Sequence, residues 1–190
     1  MKFPVSPSLL ALLAALVLTG GGCSLFQDRE KTASLVCPVI EIDRTTSTLT
    51  RFRQGAGRDI TDVDLTAEIQ GYSGDCGYGE SGIDVSLMVR FGATRGPAAS
   101  VATAEFDYFV AVSHIVPAAA GRPLDHMILN KELFTVRTEF PPDVDTVLYR
   151  DEEVKVTIPL KRDDLADNYV VSIGLQLNRE QLEYNRTHHP

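Results

Sequence analysis

Few residues in this sequence are spaced for catalysis or metal binding. His114 and His126 flank the segment SHIVPAAAGRPLDH, and with Asp125 they could ligate a metal ion if that segment closed on itself. We favour the simpler interpretation that the segment is a surface loop. His188 and His189 lie among the last three residues and are expected to fray. No metal site is therefore predicted.

A second candidate is the acidic run RDITDVD, in which Asp59, Asp62 and Asp64 resemble the start of a calcium loop. The run lacks the D-x-D-x-D-G spacing and the closing glutamate of such a loop. Alternation places Asp62 and Asp64 on one face of a strand, which is typical of a solvated sheet face. The other clustered acidic residues are expected in solvated turns and edges: Asp143, Asp145, Asp151, Glu152 and Glu153.

The sequence also lacks the motifs of nucleophilic catalysis and phosphate binding. There is no GxSxG motif, and the glycine-rich segment SGDCGYGESG, residues 73–82, has neither a GK[ST] ending nor a following helical pattern. We interpret its glycines as a loop that lets Cys76 reach Cys37. The sequence therefore predicts no catalytic residue and no cofactor.

One aromatic run could serve binding instead. In Phe106-Asp107-Tyr108-Phe109, both faces of a strand carry an aromatic residue. Either the strand is central and covered on both sides, or Phe109 is exposed to a partner. We favour burial of Phe109 under the loop formed by residues 117–123.

In the segments that must position these residues, polar and apolar side chains alternate with a period of two. Asp62 to Gly71 alternates between polar and apolar side chains, which predicts a half-buried strand. The same alternation predicts further strands at residues 36–42, 49–52, 83–91, 104–112, 134–140, 154–158 and 169–177. Turn-rich segments separate them at residues 54–58, 73–82, 94–99, 117–123 and 141–145.

Seven or eight such strands predict an all-β domain of two antiparallel sheets packed face to face. A parallel α/β fold is excluded, because no helical pattern lies between the strands. The one helix signal is terminal, where Asn178 can cap a short helix that includes Glu180, Gln181 and Leu182.

A local motif points to a narrower class. In LADNYVVSI, Leu165 and Asp167 precede Tyr169, which opens a strand. This resembles the tyrosine corner of immunoglobulin-like and fibronectin-type sandwiches, in which a tyrosine hydroxyl bonds to backbone at a strand entrance. The chain has no tryptophan, so the resemblance implies an immunoglobulin-like β-sandwich in the loose sense. A small barrel or a jelly roll is the alternative.

The N-terminal residues have the pattern of an export signal. Lys2 precedes the apolar run from Leu9 to Leu18, and small residues follow, which is the layout of a signal peptide. Ten apolar residues are too few to cross a bilayer, because spanning needs about 20. The sequence therefore predicts export followed by removal of the segment.

The residues Leu18-Thr19-Gly20-Gly21-Gly22-Cys23 resemble the lipobox of bacterial lipoproteins. The resemblance implies a signal peptide at 1–22 and a lipid-modified, palmitate-bearing Cys23, followed by a polar tether at 23–34 and a single domain at 35–190. Ser24, as the second mature residue, fits transfer to the outer membrane of Gram-negative bacteria. The alternative is an ordinary secretory signal with an incidental cysteine.

Cysteine number and charge agree with an exported protein. The chain has three cysteines, so assigning Cys23 to lipid leaves Cys37 and Cys76 as a disulfide pair, or else as two unpaired thiols. Removal of residues 1–22 takes away only one charged residue, Lys2, and moves the net charge from −8 to −9. That balance argues against nucleic acid as a partner.

The chain as a whole resembles small lipoproteins of proteobacterial envelopes that have no assigned activity. We expect a non-enzymatic binding or scaffolding module, lipid-anchored at the outer membrane and facing the periplasm, with an envelope protein as partner. It could be an accessory of an envelope assembly. The alternative is a hydrolase or a ligand-binding protein that acts on an envelope polymer.

Overall fold

The computed structural model describes residues 36–55, 57–116, 125–160 and 166–188. The predicted signal peptide, Cys23 and the tether lie outside these ranges. Within them the chain forms nine strands and one helix: β1 Val39–Ile42, β2 Thr48–Phe52, β3 Val63–Gly79, β4 Gly82–Arg95, β5 Thr103–Val116, β6 Asp125–Glu139, β7 Thr146–Arg150, β8 Val154–Ile158, β9 Tyr169–Leu175 and α1 Arg179–His188. The ten-residue α1, the one helix of those ranges besides three short 3-10 turns, lacks the length and apolar character of a membrane-spanning helix.

The strands form two sheets. The first has the order β1-β9-β5-β6, and the second has the order β2-β3-β4, with β7 and β8 both paired to β4. All pairs are antiparallel except β1 with β9, where Val39 to Ile42 run parallel to Val170 to Ile173. The expectation of purely antiparallel sheets is therefore wrong at this pair. A parallel pair needs a long connection, and the seven strands between β1 and β9 supply it.

The two sheets pack face to face around one apolar core, as the alternation predicts. On β4, the inward-facing Ile83, Val85, Leu87, Val89 and Phe91 are all at most 1% exposed. The Phe91 ring lies 5.5 Å from the ring of Phe106 and 4.9 Å from that of Tyr108, both on β5, so aromatic contacts join the sheets.

The glycine-rich segment at residues 73–82 is not the predicted loop, because β3 and β4 continue through it to a tight turn at Glu80 and Ser81. A bulge shifts the register of β3 on β4 between Ile69 and Gly71. Gly71 has a φ of 148°, which a residue with a side chain rarely adopts. Beyond the bulge the core-facing positions change from odd to even numbers, so Tyr72 and Cys76 face the same side as Ile69.

The predicted C-terminal helix is confirmed. The Asn178 side chain accepts a hydrogen bond from the Gln181 amide, and the Gln181 side chain accepts one from the Asn178 amide, each at 2.9 Å. Asn185 of α1 is buried, and the rings of Tyr184 and Phe52 meet edge to face at 5.2 Å. Helix α1 is thereby fixed against β2.

Candidate functional site

The strongest candidate for a binding site is the edge of β6 that faces away from β5. In the part of the chain that the structure describes, β6 is the last strand of its sheet and pairs with β5 alone, and all residues from His126 to Leu133 are exposed. Four of them are large and apolar: Met127 is 52% exposed, Ile128 65%, Leu129 43% and Leu133 58%. We call His126–Leu133 the β6 edge. Among the described residues, no second strand pairs with its backbone, and it carries exposed apolar side chains, a combination that natural edge strands avoid.

The sheet order explains why the β6 edge is exposed while its neighbour is not. Strand β5 is central, and Ala111, Val112 and Ser113 are buried because β9 covers the other side of that strand. A register shift between Val112 and Ser113 leaves Leu129 without a direct partner on β5. The β6 edge therefore gains no cover from the rest of the described chain.

Phe109 is half-buried on the outer face of the same sheet. A Cβ at Gly174 would lie 2.6 Å from the Phe109 ring, so the ring packs directly on the glycine backbone. The Lys131 ammonium lies 4.2 Å from the ring centroid. This agrees with the central-strand interpretation of the aromatic run. The loop that we expected over Phe109 lies outside the described residues.

An open groove of about 460 Å³ runs beside the β6 edge. Its walls are Glu132 to Thr135 of β6 and the segment from Asp151 to Lys155. The residues that line it include four with carboxylates, Glu132, Asp151, Glu152 and Glu153, and one with an ammonium, Lys155. We call this the acidic groove.

The carboxylates of the acidic groove differ in how far they are already engaged. Asp151 is half-buried, contrary to our expectation of a solvated edge, and it accepts a 2.6 Å hydrogen bond from the Tyr108 hydroxyl. Glu132 accepts a 2.8 Å hydrogen bond from Asn130, and Glu153 lies 3.2 Å from Lys155. Within the described ranges, the exposed carboxylate of Glu152 has no hydrogen-bond or ion-pair partner.

Burial fixes the protonation of the tyrosine below the groove. It raises the pKa of the Tyr108 hydroxyl well above the ordinary tyrosine value, and the hydrogen bond to Asp151 and the negative charge there raise it further. The pKa of Tyr149 is raised for the same reasons. Tyr108 therefore keeps its proton and holds Asp151 at the rim of the groove as an acceptor.

The structure joins Cys37 to Cys76, in agreement with the expected pair, at a Cα–Cα distance of 5.9 Å. Two tyrosine hydroxyls of β3 bond to the same N-terminal segment: Tyr72 donates to the Ile40 carbonyl at 2.8 Å, and Tyr78 donates to the Val36 carbonyl at 2.7 Å. We call these three links the N-terminal clasp. They hold β1 at the edge of its sheet opposite to β6.

The histidines do not form a metal site among the described residues, where no group of three potential ligands is found. His114 pairs in register with Met127, and its ring lies 4.8 Å from that of Tyr169. His126 lies in the β6 edge. His188 is the last residue of α1, and its ring stacks on that of Tyr184 at a centroid distance of 4.0 Å, whereas His189 lies outside the described residues.

The expectation that Asp62 and Asp64 share a solvated strand face is wrong. Asp62 is 4% exposed, because it closes a short 3-10 turn before β3 and forms an ion pair with Arg53 at 2.6 Å. Asp64 forms an ion pair with Arg51 at 2.6 Å. Hydrogen bonds from the side chain and the amide of Thr61 lower the pKa of Asp59. Internal partners therefore occupy these carboxylates.

A second cavity, of about 570 Å³, lies between α1 and β2 around Phe52 and Tyr184. Two of its three arginines are engaged within the domain. Arg58 forms an ion pair with Glu180 and lies over Phe52, and Arg51 is paired with Asp64. Most of the arginine charge in this cavity is therefore already paired within the domain, so we regard the cavity as a weaker candidate for a binding site than the β6 edge and the acidic groove.

The β6 edge was not identified from the sequence, where the predicted strand began at Phe134. Its signal is the run Met127-Ile128-Leu129, three consecutive apolar residues between a histidine and an asparagine. Alternation cannot reveal such a run, because its side chains are exposed on both faces.

Comparison with protein-family models, curated proteins and solved structures finds no match to this chain. We therefore base the functional proposal on the geometry of the described residues.

Proposed function

We propose that this protein is a non-enzymatic binding module of the bacterial envelope, which holds an extended segment of a partner protein along the β6 edge. One observation carries the proposal. The 15-residue strand β6 is the last strand of its sheet. Eight successive residues of this strand are exposed, and four of them are large and apolar. Main-chain pairing would supply affinity at such an edge, and contacts to alternate side chains would supply specificity.

The anchor in this proposal is a lipid on Cys23. A tether of residues 23–34 could extend about 40 Å from the lipid to the domain. The N-terminal clasp lies at one edge of the first sheet and the β6 edge lies at the other. The clasp disulfide suits the oxidising periplasm. We accordingly propose the periplasmic side of the outer membrane as the location.

We rank a hydrolase or a polymer-binding protein second. Such a protein needs titratable groups that converge in a cleft with shifted pKa values. Among the described residues, the shifted groups are Asp59, Tyr108 and Tyr149, and internal hydrogen bonds and burial explain each shift. No observation favours the second function specifically.

For the fold, we propose kinship with immunoglobulin-like sandwiches in the loose sense. Tyr169 opens β9 and is buried, which supports this proposal. The strand order differs from a standard immunoglobulin domain, because the last strand lies between β1 and β5 instead of pairing with the strand before it.

Site-specific photo-cross-linking in intact cells tests the binding site. A photoreactive residue at Ile128 or Leu133 should capture the same extended segment of one envelope protein. The matched control is Ile60, which is 79% exposed but lies in the short turn before β3. Capture of that segment from Ile60 as well, or no capture from either β6 position, would refute the proposal.

The anchor is tested separately by metabolic labelling with a fatty acid. The natural chain should carry label, and the Cys23→Ala variant should not. Label that persists in the variant would remove Cys23 as the attachment site without affecting the assignment of the β6 edge.

A further inference from the structure

We infer that the segment bound at the β6 edge is an extended strand in which basic residues alternate with apolar ones. The inference rests on the proposed function, and it specifies the chemistry of the partner. It follows from the different character of the two faces that a strand added to β6 would contact.

The register of β5 with β6 assigns the two faces. Glu132 pairs with Val110, whose side chain lies in the core, so Glu132 is on the inner face together with the acidic groove. Leu133 pairs with Phe109, which is on the outer face. Side chains of an added strand, about 4.8 Å away, would alternate between these two faces.

The inner face selects positive charge. A side chain of the added strand on this face would extend toward the acidic groove, whose carboxylates outnumber its cations four to one. Glu152 has no partner within the described ranges, and Glu153 is shared with one lysine. Complementary charge would speed association and fix the register of the added strand.

The outer face selects apolar side chains and rejects positive charge. Leu133 is exposed there. The Lys131 ammonium contacts the Phe109 ring and donates a 2.8 Å hydrogen bond to the side chain of Gln176. A second cation on this face would stand near Lys131. We therefore expect the partner strand to place its basic residues on the inner face and its apolar residues on the outer face.

A second copy of this chain is a poorer occupant. Self-pairing would bring another Glu132 and another acidic groove close to the first, in a protein whose net charge is −8. Like charges across an interface oppose association. A partner segment with the opposite charge avoids this repulsion.

Binding of short synthetic peptides to the purified full-length chain tests the inference. A nine-residue peptide alternating lysine and valine should bind at least tenfold more tightly than its glutamate–valine counterpart, and its Kd should rise with salt. The double variant Glu152→Lys with Glu153→Lys should weaken binding of the lysine peptide at least tenfold. Both residues are exposed, and the one ion pair that is lost, between Glu153 and Lys155, is at the surface, so the melting temperature should change little. The matched control is Glu183→Lys, which reverses the charge of an exposed residue on α1. This variant should bind the lysine peptide as tightly as the unaltered chain does.

Backbone N-methylation of the lysine peptide separates this inference from the proposed function. We expect methylation at alternate residues, on the hydrogen-bonding side, to abolish binding. If an uncharged threonine–valine peptide binds as tightly as the lysine peptide and methylation abolishes its binding, the edge function stands and the basic partner is wrong.

Three other outcomes are also decisive. If the methylated lysine peptide binds undiminished, charge acts without strand pairing and the inference fails. If no peptide binds and the cross-linking positions capture nothing, both proposals fail. A dimer of the purified chain that Leu133→Lys dissociates would identify a second copy as the occupant and overturn the basic partner.

Discussion

The hydroxyl of Tyr108 donates a 2.6 Å hydrogen bond to the carboxylate of Asp151, and this bond joins the two sheets. Tyr108 lies on the central strand β5 of the first sheet and is fully buried. Asp151 lies where the edge of the second sheet passes from β7 to β8, and its amide donates to the Val89 carbonyl at 3.0 Å. The bond therefore sets the position of the segment that forms one wall of the acidic groove.

Replacement of Tyr108 by Phe should lower the free energy of unfolding by about 1 to 3 kcal/mol, because a hydrogen bond to a charged group is lost while the ring stays in place. Urea unfolding measures the difference. Tyr149→Phe is the control, since its hydroxyl lies 3.4 Å from Asp151 and should contribute less. Equal losses in the two variants would contradict the special position of Tyr108.

Alkaline pH should destabilise the fold through the same hydroxyl. The pKa of Tyr108 is raised in the folded protein above its ordinary value of 10.0, so folding opposes deprotonation. The stabilisation is complete below pH 10 and is lost as the pH rises above it. Tyrosinate absorbance during a pH titration should show one tyrosine that ionises only when the protein unfolds. In Tyr108→Phe, that late ionisation should be absent.

Much of the core could be predicted from the sequence because one buried face imposes a period of two. On β4, Val85, Leu87 and Val89 are core residues as the alternation requires. The helix boundary at Asn178 was also predictable, because an asparagine cap with a glutamine three residues later is a local signal.

Features that depend on distant neighbours could not be predicted in this way. Asp62 belongs to the alternating run by sequence, but a capping box and Arg53 bury it before the strand begins. The glycines after Gly71 indicate a loop locally, whereas pairing with β4 keeps them in a strand. The exposure of Leu133 follows from the position of β6 at the end of its sheet, which local sequence does not encode.

Asn185→Ala should loosen α1 from the domain. Asn185 is 1% exposed, and its side-chain amide donates to the Thr45 carbonyl at 3.0 Å and to the Thr48 carbonyl at 2.8 Å. Loss of both bonds in a buried setting should lower the free energy of unfolding by about 2 to 3 kcal/mol. Hydrogen exchange should quicken along all of α1.

The control for that variant is Asn178→Ala, which removes the helix cap and should cost about 1 kcal/mol. Its effect on hydrogen exchange should be confined to the first turn. If Asn185→Ala changed exchange in the first turn alone, the buried amide would not be the link between α1 and the strands.

Removal of the disulfide by the double variant Cys37→Ser with Cys76→Ser should lower the free energy of unfolding by about 4 kcal/mol. The two cysteines are 39 residues apart, and the unfolded chain gains the conformational freedom of that loop. Hydrogen exchange should quicken in β1, which then relies on its parallel pairing with β9 and on the Tyr72 and Tyr78 bonds.

The same variant should leave the amides of β6 unchanged, because β1 and β6 lie at opposite edges of their sheet with β9 and β5 between them. Binding of the lysine peptide should therefore survive loss of the disulfide, provided that the measurement is made well below the unfolding transition. Weaker peptide binding by the folded variant would show that the N-terminal clasp controls the β6 edge. The two edges of the sheet could then no longer be treated as independent.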